Sequence, residues 1–169
     1  MTELESLALK HGTDKSSHGY CPHYEHLIGH LRLLPITMIE IGVGNGDSLR
    51  MWRDWMPKAK IYAMDINNYD IKEDFTILKG NQSSTDDLEN LVRTTGKFHF
   101  LVDDAGHNRP EQKICYKYMF ERLVSGGWYV IEDLDDISNI YDFDLQSDVE
   151  ELHMIRAKGG ARILFLKKQ

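Results

Sequence analysis

From residue 36 onward the chain repeats one pattern: a short apolar run, then a glycine or acidic cluster, then a segment with helical periodicity. Strands separated by helices are joined by crossovers, so this alternation predicts a parallel sheet covered on both faces. Strands are expected over about residues 38–43, 61–66, 75–78, 98–102 and 128–131, with helices over about 48–56, 84–94 and 109–123. Pro57 closes the first of these helices and Pro110 sits in the first turn of the third, while Gly126-Gly127 reads as a tight return into the fifth strand.

The tail breaks the pattern. Two strand-like runs, residues 152–157 and 161–167, flank Lys158-Gly159-Gly160 and read as a hairpin. The expected fold class is therefore α/β: a Rossmann-like, doubly wound, mostly parallel sheet with a C-terminal antiparallel hairpin. Ahead of the sheet, Leu4, Leu7 and Ala8, then Tyr24, Leu27, Ile28 and Leu31, suggest two short helices flanking a polar stretch at 12–20. A length of 169 residues fits one domain over 1–169, with 1–35 packed on it as a helical or lid segment.

Composition narrows the function classes. Twenty Lys and Arg against 27 Asp and Glu give a formal charge of −7, which argues against a nucleic-acid-coating protein. No apolar run approaches the roughly 18 residues of a membrane helix, and the acidic start does not read as a secretory signal. Cys21 and Cys115 fit no metal-ligand spacing and read as reduced packing thiols, so a soluble cytoplasmic protein is expected.

Chemistry concentrates where strands end. The segment Glu40-Ile41-Gly42-Val43-Gly44-Asn45-Gly46-Asp47-Ser48 follows a strand and opens a helix, so its glycines allow close backbone approach to a ligand. Its G-x-G-x-G spacing, with acidic Glu40 before it, suits a cationic ligand better than a dinucleotide pyrophosphate. Asp65 ends the second strand, where a carboxylate can accept both hydroxyls of a ribose. Asp103-Asp104-Ala105-Gly106-His107 follows strand four and Glu132-Asp133 follows strand five, so several carboxylates should share that sheet edge. Oxygen ligands of that kind select a hard cation, Mg²⁺ first.

With the glycine loop, Asp65 and the terminal hairpin in place, the chain resembles the class I S-adenosylmethionine-dependent methyltransferases. More narrowly it resembles the metal-dependent sugar O-methyltransferases of the macrocin and mycinamicin type, through Gly12-Thr13-Asp14-Lys15-Ser16-Ser17-His18-Gly19-Tyr20, Asp103-Asp104-Ala105-Gly106-His107 and Ile131-Glu132-Asp133-Leu134. The resemblance implies a cofactor, S-adenosylmethionine, held by Thr13, Lys15, Tyr20, Glu40, Gly42, Gly44, Gly46, Ser48, Asp65, Gln82 and Asp103. It implies Mg²⁺ on Asp104, Glu132 and Asp133, with His107 as the general base and Asp104 beside it in catalysis. His107 is expected at the start of the helix that follows.

The chain departs from the family pattern at Ala105-Gly106, where Gly-Ser is usual, and at Asn81, where an acid precedes Gln82. The region after Leu134 is also short, so the acceptor is expected to be a small hydroxylated molecule, a sugar or glycosylated metabolite, or the pocket to be completed in a homo-oligomer. The alternatives are an NAD-binding oxidoreductase, which would share Gly42, Gly44 and Asp65, and a non-catalytic cofactor-binding module. Asp135, Asp136, Asp142, Asp144 and Asp148 read as a solvated acidic connection, and the i, i+4 pair His26 and His30 lacks a third ligand.

Overall fold

The computed structural model describes residues 1–71, 73–135 and 143–169, so the predicted positions Asp136 and Asp142 lie outside the described residues. Strands β1 (Thr37–Ile41), β2 (Lys60–Asp65), β3 (Thr76–Lys79), β4 (Phe98–Asp103), β5 (Leu123–Ile131), β6 (Val149–Arg156) and β7 (Arg162–Lys168) form one sheet in the order β3-β2-β1-β4-β5-β7-β6. The first five pair in parallel; β7 runs antiparallel to both β5 and β6. The chain builds outward from β1 in one direction through β3, then returns to β1's other side with β4. The helices that follow β1 and β4 therefore lie on opposite faces of the sheet, and a crevice opens at the C-terminal ends of these neighbours.

Period-two alternation sorts each strand's side chains between two cores. Met38, Phe100, Val102, Trp128, Val130 and Phe165 pack on one face, under α1 (Glu3–His11), α3 (Cys21–Ile28) and α4 (Asp47–Trp55). Ile39, Ile41, Leu101, Tyr129, Ile131 and Leu164 pack on the other, under α5 (Thr85–Thr95) and α6 (Arg109–Phe120). Helix α4 buries Leu49, Met51, Trp52 and Trp55, which fixes the glycine loop at its N-terminus. Helix α1 begins in a capping box between Thr2 and Glu5 and ends at Gly12, whose left-handed φ of 80° turns the chain back over the sheet edge.

Three local expectations change. The stretch 12–20 contains a short helix, α2 (Lys15–His18), enclosed by Gly12 and Gly19, and Lys15 within it is fully buried. Gly126-Gly127 is not a turn but lies inside β5, which starts at Leu123 and shifts register against β4 between Phe98 and Phe100. A Cβ on Gly127 would meet Leu123 Cγ at 2.8 Å and the His99 carbonyl oxygen at 2.9 Å, so close approach explains that glycine, while Gly126, at φ 75° in open space, supplies the left-handed bend ahead of the regular pairing that begins at Trp128. Helix α6 consequently stops at Phe120, and its N-cap is Asn108, which leaves His107 in the connection ahead of the helix. The terminal hairpin is present, and among the described residues no helix is long and apolar enough to cross a membrane.

Candidate active site

The glycine loop lines two adjoining cavities at the crevice. One, of about 330 Å³, is bounded by Gly12, Thr13, Gly42, Gly44, Asn45, Ser48, Asp104 and His107, among others. The second, of about 450 Å³, is bounded by Gly42, Gly44, Asp65, Ile66, Tyr69, Asn81, Gln82, Asp104 and Ala105, among others. Gly42, Gly44 and Asp104 belong to both, so one elongated ligand can run through the pair. Gly42 sits at φ 99°, and a Cβ there would lie 2.1 Å from the Asp104 carbonyl oxygen. Only glycine lets the loops after β1 and β4 touch this closely.

Asp65 is held rigidly at the second cavity. Its Oδ2 accepts from the Val43 amide at 2.8 Å, and its Oδ1 accepts from both the backbone amide of Asn67 at 2.8 Å and the Asn67 Nδ2 at 3.1 Å, which leaves Oδ2 the freer acceptor for a ligand hydroxyl. Gln82 ties two loops together, its Oε1 accepting from the Gly106 amide at 2.6 Å.

Beneath the first cavity the acids converge. The Lys15 Nζ lies 2.7 Å from Asp104 Oδ2, 2.8 Å from Glu132 Oε2 and 3.4 Å from Glu40 Oε1, joining acids carried by β1, β4 and β5. Glu132 also accepts from the Tyr24 hydroxyl, and Glu40 from Ser48 Oγ at 2.9 Å and Trp52 Nε1 at 3.3 Å. Asp133, at a left-handed φ of 52°, accepts from the Tyr20 hydroxyl at 2.6 Å. His107 Nε2 is 3.3 Å from Asp104 Oδ1 and 3.8 Å from Asp133 Oδ2.

Burial would strip the proton from Lys15, but the three surrounding carboxylates outweigh it and hold the ammonium well above the usual lysine value. Burial likewise opposes the Asp104 anion, yet Lys15 and His107 keep its carboxyl below the ordinary range. Glu132 and Glu40 are pushed up by burial against the pull of Lys15. The hydrogen bond to Asp104 raises His107. Three carboxylates thus face the Lys15 ammonium, and a fourth, Asp133, lies at the rim beside His107 and His18. The excess negative charge suits a divalent ion, and one donor atom each from Asp104, His107 and Asp133 lies within 4.8 Å of the others.

Of the residues singled out from sequence, Thr13, Gly42, Gly44, Ser48, Asp65, Gln82, Asp104 and His107 line the cavities. Lys15, Glu40, Glu132 and Tyr20 lie behind that lining, bound to one another's elements, and Gly46 serves as the N-cap of α4 at φ 79°. Asp103 is also buried; its Oδ2 accepts from the Tyr129 hydroxyl at 3.1 Å, and burial raises its carboxyl to about 7. Sequence reasoning missed Tyr24, read only as a helix-packing residue, and the cavity-lining Asn45, Ile66, Asn67, Tyr69 and Glu111. Their neighbours in the glycine and β2 motifs were the available signal.

No protein-family model matches the chain. Curated proteins do: it is 33% identical over 143 residues to 8-demethyl-8-(2-methoxy-alpha-L-rhamnosyl)-tetracenomycin-C 3'-O-methyltransferase of Streptomyces olivaceus, covering 78% of this chain and 37% of that protein. It is 30% identical to mycinamicin VI 2''-O-methyltransferase of Micromonospora griseorubida, covering 78% of this chain and 36% of that protein. Demethylmacrocin O-methyltransferase of Streptomyces fradiae is 31% identical, with 78% and 36% covered. The chain thus spans well under half the length of these relatives. The solved MycE methyltransferase of mycinamycin biosynthesis, in complex with Mg and SAH, superposes with a TM-score of 0.86 at 24% identity, over 99% of this chain and 55% of that one. That likeness gives the chain an α/β methyltransferase fold.

Proposed function

We propose that this chain, a homologue of the sugar O-methyltransferases of the macrocin and mycinamicin type, transfers a methyl group from S-adenosylmethionine to a hydroxyl of a sugar or small diol-bearing acceptor, assisted by Mg²⁺. The observation that carries this reading is the sharing of Asp104 between the glycine-lined cavity and the Asp65 cavity, beside His107 and Asp133. The MycE structures were solved with Mg and SAH, one of them also with mycinamycin VI, which supports the same ligand pair here over a nicotinamide cofactor.

In this reading Asp65 would hold the cofactor's ribose hydroxyls, Ile66 and Gln82 would line its adenine, and Gly42, Gly44, Thr13 and Ser48 would line its methionine end. When bound, the sulfonium supplies an electrophilic methyl group and the divalent ion, held by Asp104 and Asp133 with Glu132 behind them, supplies Lewis acidity. His107 Nε2 takes the proton from the acceptor hydroxyl as that oxygen attacks the methyl carbon, which leaves the sulfur as a neutral thioether. Alignment of acceptor oxygen, methyl carbon and sulfur supplies much of the acceleration. Lys15 and Glu40 act from beneath the cavity by holding the acids in place. Because Asp104 raises His107, the basic form dominates only above the ordinary histidine range, so turnover should rise with pH through an ionisation above about 6.5.

Residues 1–169 then make up one methyltransferase domain, with 1–35 as its helical cover. The net charge of −7 favours a small-molecule acceptor over nucleic acid, and the short β5 to β6 connection favours a pocket completed in a cytoplasmic homo-oligomer. The test is calorimetric titration with S-adenosylmethionine and S-adenosylhomocysteine, each with Mg²⁺ and with chelator, and NAD as control. Binding of the sulfur ligands alone is expected; NAD binding without them would overturn the proposal. Asp104→Asn should retain S-adenosylhomocysteine and lose turnover on hydroxylated acceptors by at least a hundredfold.

A further inference from the structure

We infer that one segment, from Lys15 to Tyr24, supplies the positioning residues of the candidate cation site, a role that rests on the reading above. Each of the three acids has an oxygen tied back by this segment. Tyr20 donates to Asp133 Oδ1 at 2.6 Å, Tyr24 donates to Glu132 Oε1, and Lys15 Nζ reaches Asp104 Oδ2 at 2.7 Å and Glu132 Oε2 at 2.8 Å. The other oxygens of Asp104 and Asp133 are the ones nearest His107, at 3.3 and 3.8 Å. For Asp104 and Asp133 the inward oxygen is held by the segment and the outward oxygen faces the position where a cation would be shared, while Glu132, held at both oxygens, braces the site from behind.

The donors are themselves immobile. The Tyr24 ring packs edge-on against Trp52, Phe100 and Phe165, with centroids 5.0, 6.0 and 5.1 Å away, so its hydroxyl has one aim. Tyr20 is fully buried, and its single proton has two acceptors in reach, Asp133 at 2.6 Å and the Arg162 carbonyl at 3.2 Å; the shorter, charged contact takes it. Groups that orient metal ligands in this way commonly govern affinity by ten- to a hundredfold. Tyr20, grouped by sequence with the cofactor-binding residues, acts here through Asp133.

The experiment uses the full chain and its Tyr20→Phe and Tyr24→Phe variants, which delete one hydroxyl each and keep the ring. Mn²⁺ binding is measured by loss of the free-ion paramagnetic signal, S-adenosylhomocysteine binding by calorimetry and stability by thermal unfolding. Tyr20→Phe is expected to weaken Mn²⁺ about tenfold or more while S-adenosylhomocysteine affinity stays within about twofold. Tyr24→Phe should weaken Mn²⁺ less, because Lys15 still holds the other oxygen of Glu132. Unchanged Mn²⁺ affinity in Tyr20→Phe overturns the inference, as does equal loss of both ligands with a lowered melting temperature, which marks a packing role. Should Tyr20→Phe not fold, Tyr24→Phe decides on the same criterion. Failure of the unmodified chain to bind Mn²⁺ while still binding S-adenosylhomocysteine removes the cation site itself, and failure to bind either removes the proposed function.

Discussion

The loop after β1 and the acids after β4 and β5 share one sheet edge but are built on opposite principles. At the loop, Gly42 and Gly44 offer backbone and open space, and the cost is conformational, a φ of 99° with no room for a Cβ. At the acids the backbone is mostly ordinary, Asp133 excepted, and the cost is electrostatic: carboxylates out of water, offset by Lys15 and two tyrosine hydroxyls. The first region should therefore respond to volume and ignore pH, and the second should do the reverse.

The largest test falls on the acids. Lys15→Met leaves three carboxylates without their ammonium, and breaking a buried pair from one side costs about 3–5 kcal/mol. Urea unfolding should give that loss near pH 8 and a smaller one near pH 5, where the acids take up protons in compensation. Next is Gly42→Ala, which forces a methyl against the Asp104 carbonyl; about 3 kcal/mol is expected, equal at both pH values, together with loss of S-adenosylhomocysteine binding. A pH-dependent loss in Gly42→Ala would erase the distinction between the two regions.

Asp103 sharpens it further. Burial raises its carboxyl to about 7, against about 4 in an unfolded chain, so the folded state holds the proton more tightly. Its contribution to stability is complete below about pH 4 and is lost as pH rises through about 7. In chelator, the urea midpoint of Asp103→Asn should fall less between pH 5 and 8 than that of the unmodified chain. The smallest effect belongs to Ser48→Ala, which removes the 2.9 Å hydrogen bond to Glu40 across the boundary between the regions and should cost about 1 kcal/mol by the same assay.

The two regions also differ in how far they could be read from sequence. The glycine loop, Asp65 and the strand-end acids are local patterns, and the alternation of strands and helices is enough to put them on one edge. Lys15 was legible as a site residue but not as the counter-ion of Glu132, which lies 117 residues away, because no spacing rule spans that separation. Tyr24 was invisible as more than core, since a buried aromatic looks the same whether or not its hydroxyl has a task. Gly126-Gly127 was half legible: the left-handed bend at Gly126 is what a glycine pair signals, but only the folded chain reveals that Gly127 is required by its proximity to Leu123 and His99.

Asp133 restricts its own alphabet. A φ of 52° is comfortable for glycine and tolerable for asparagine and aspartate, and strained for nearly everything else. Of those three letters only aspartate brings a negative charge, so selection for the backbone and selection for the carboxylate converge on one residue. A sequence carrying asparagine or glycine there would keep the turn and surrender the charge, so under the proposed function this single position separates copies able to hold a cation from copies that only keep the shape.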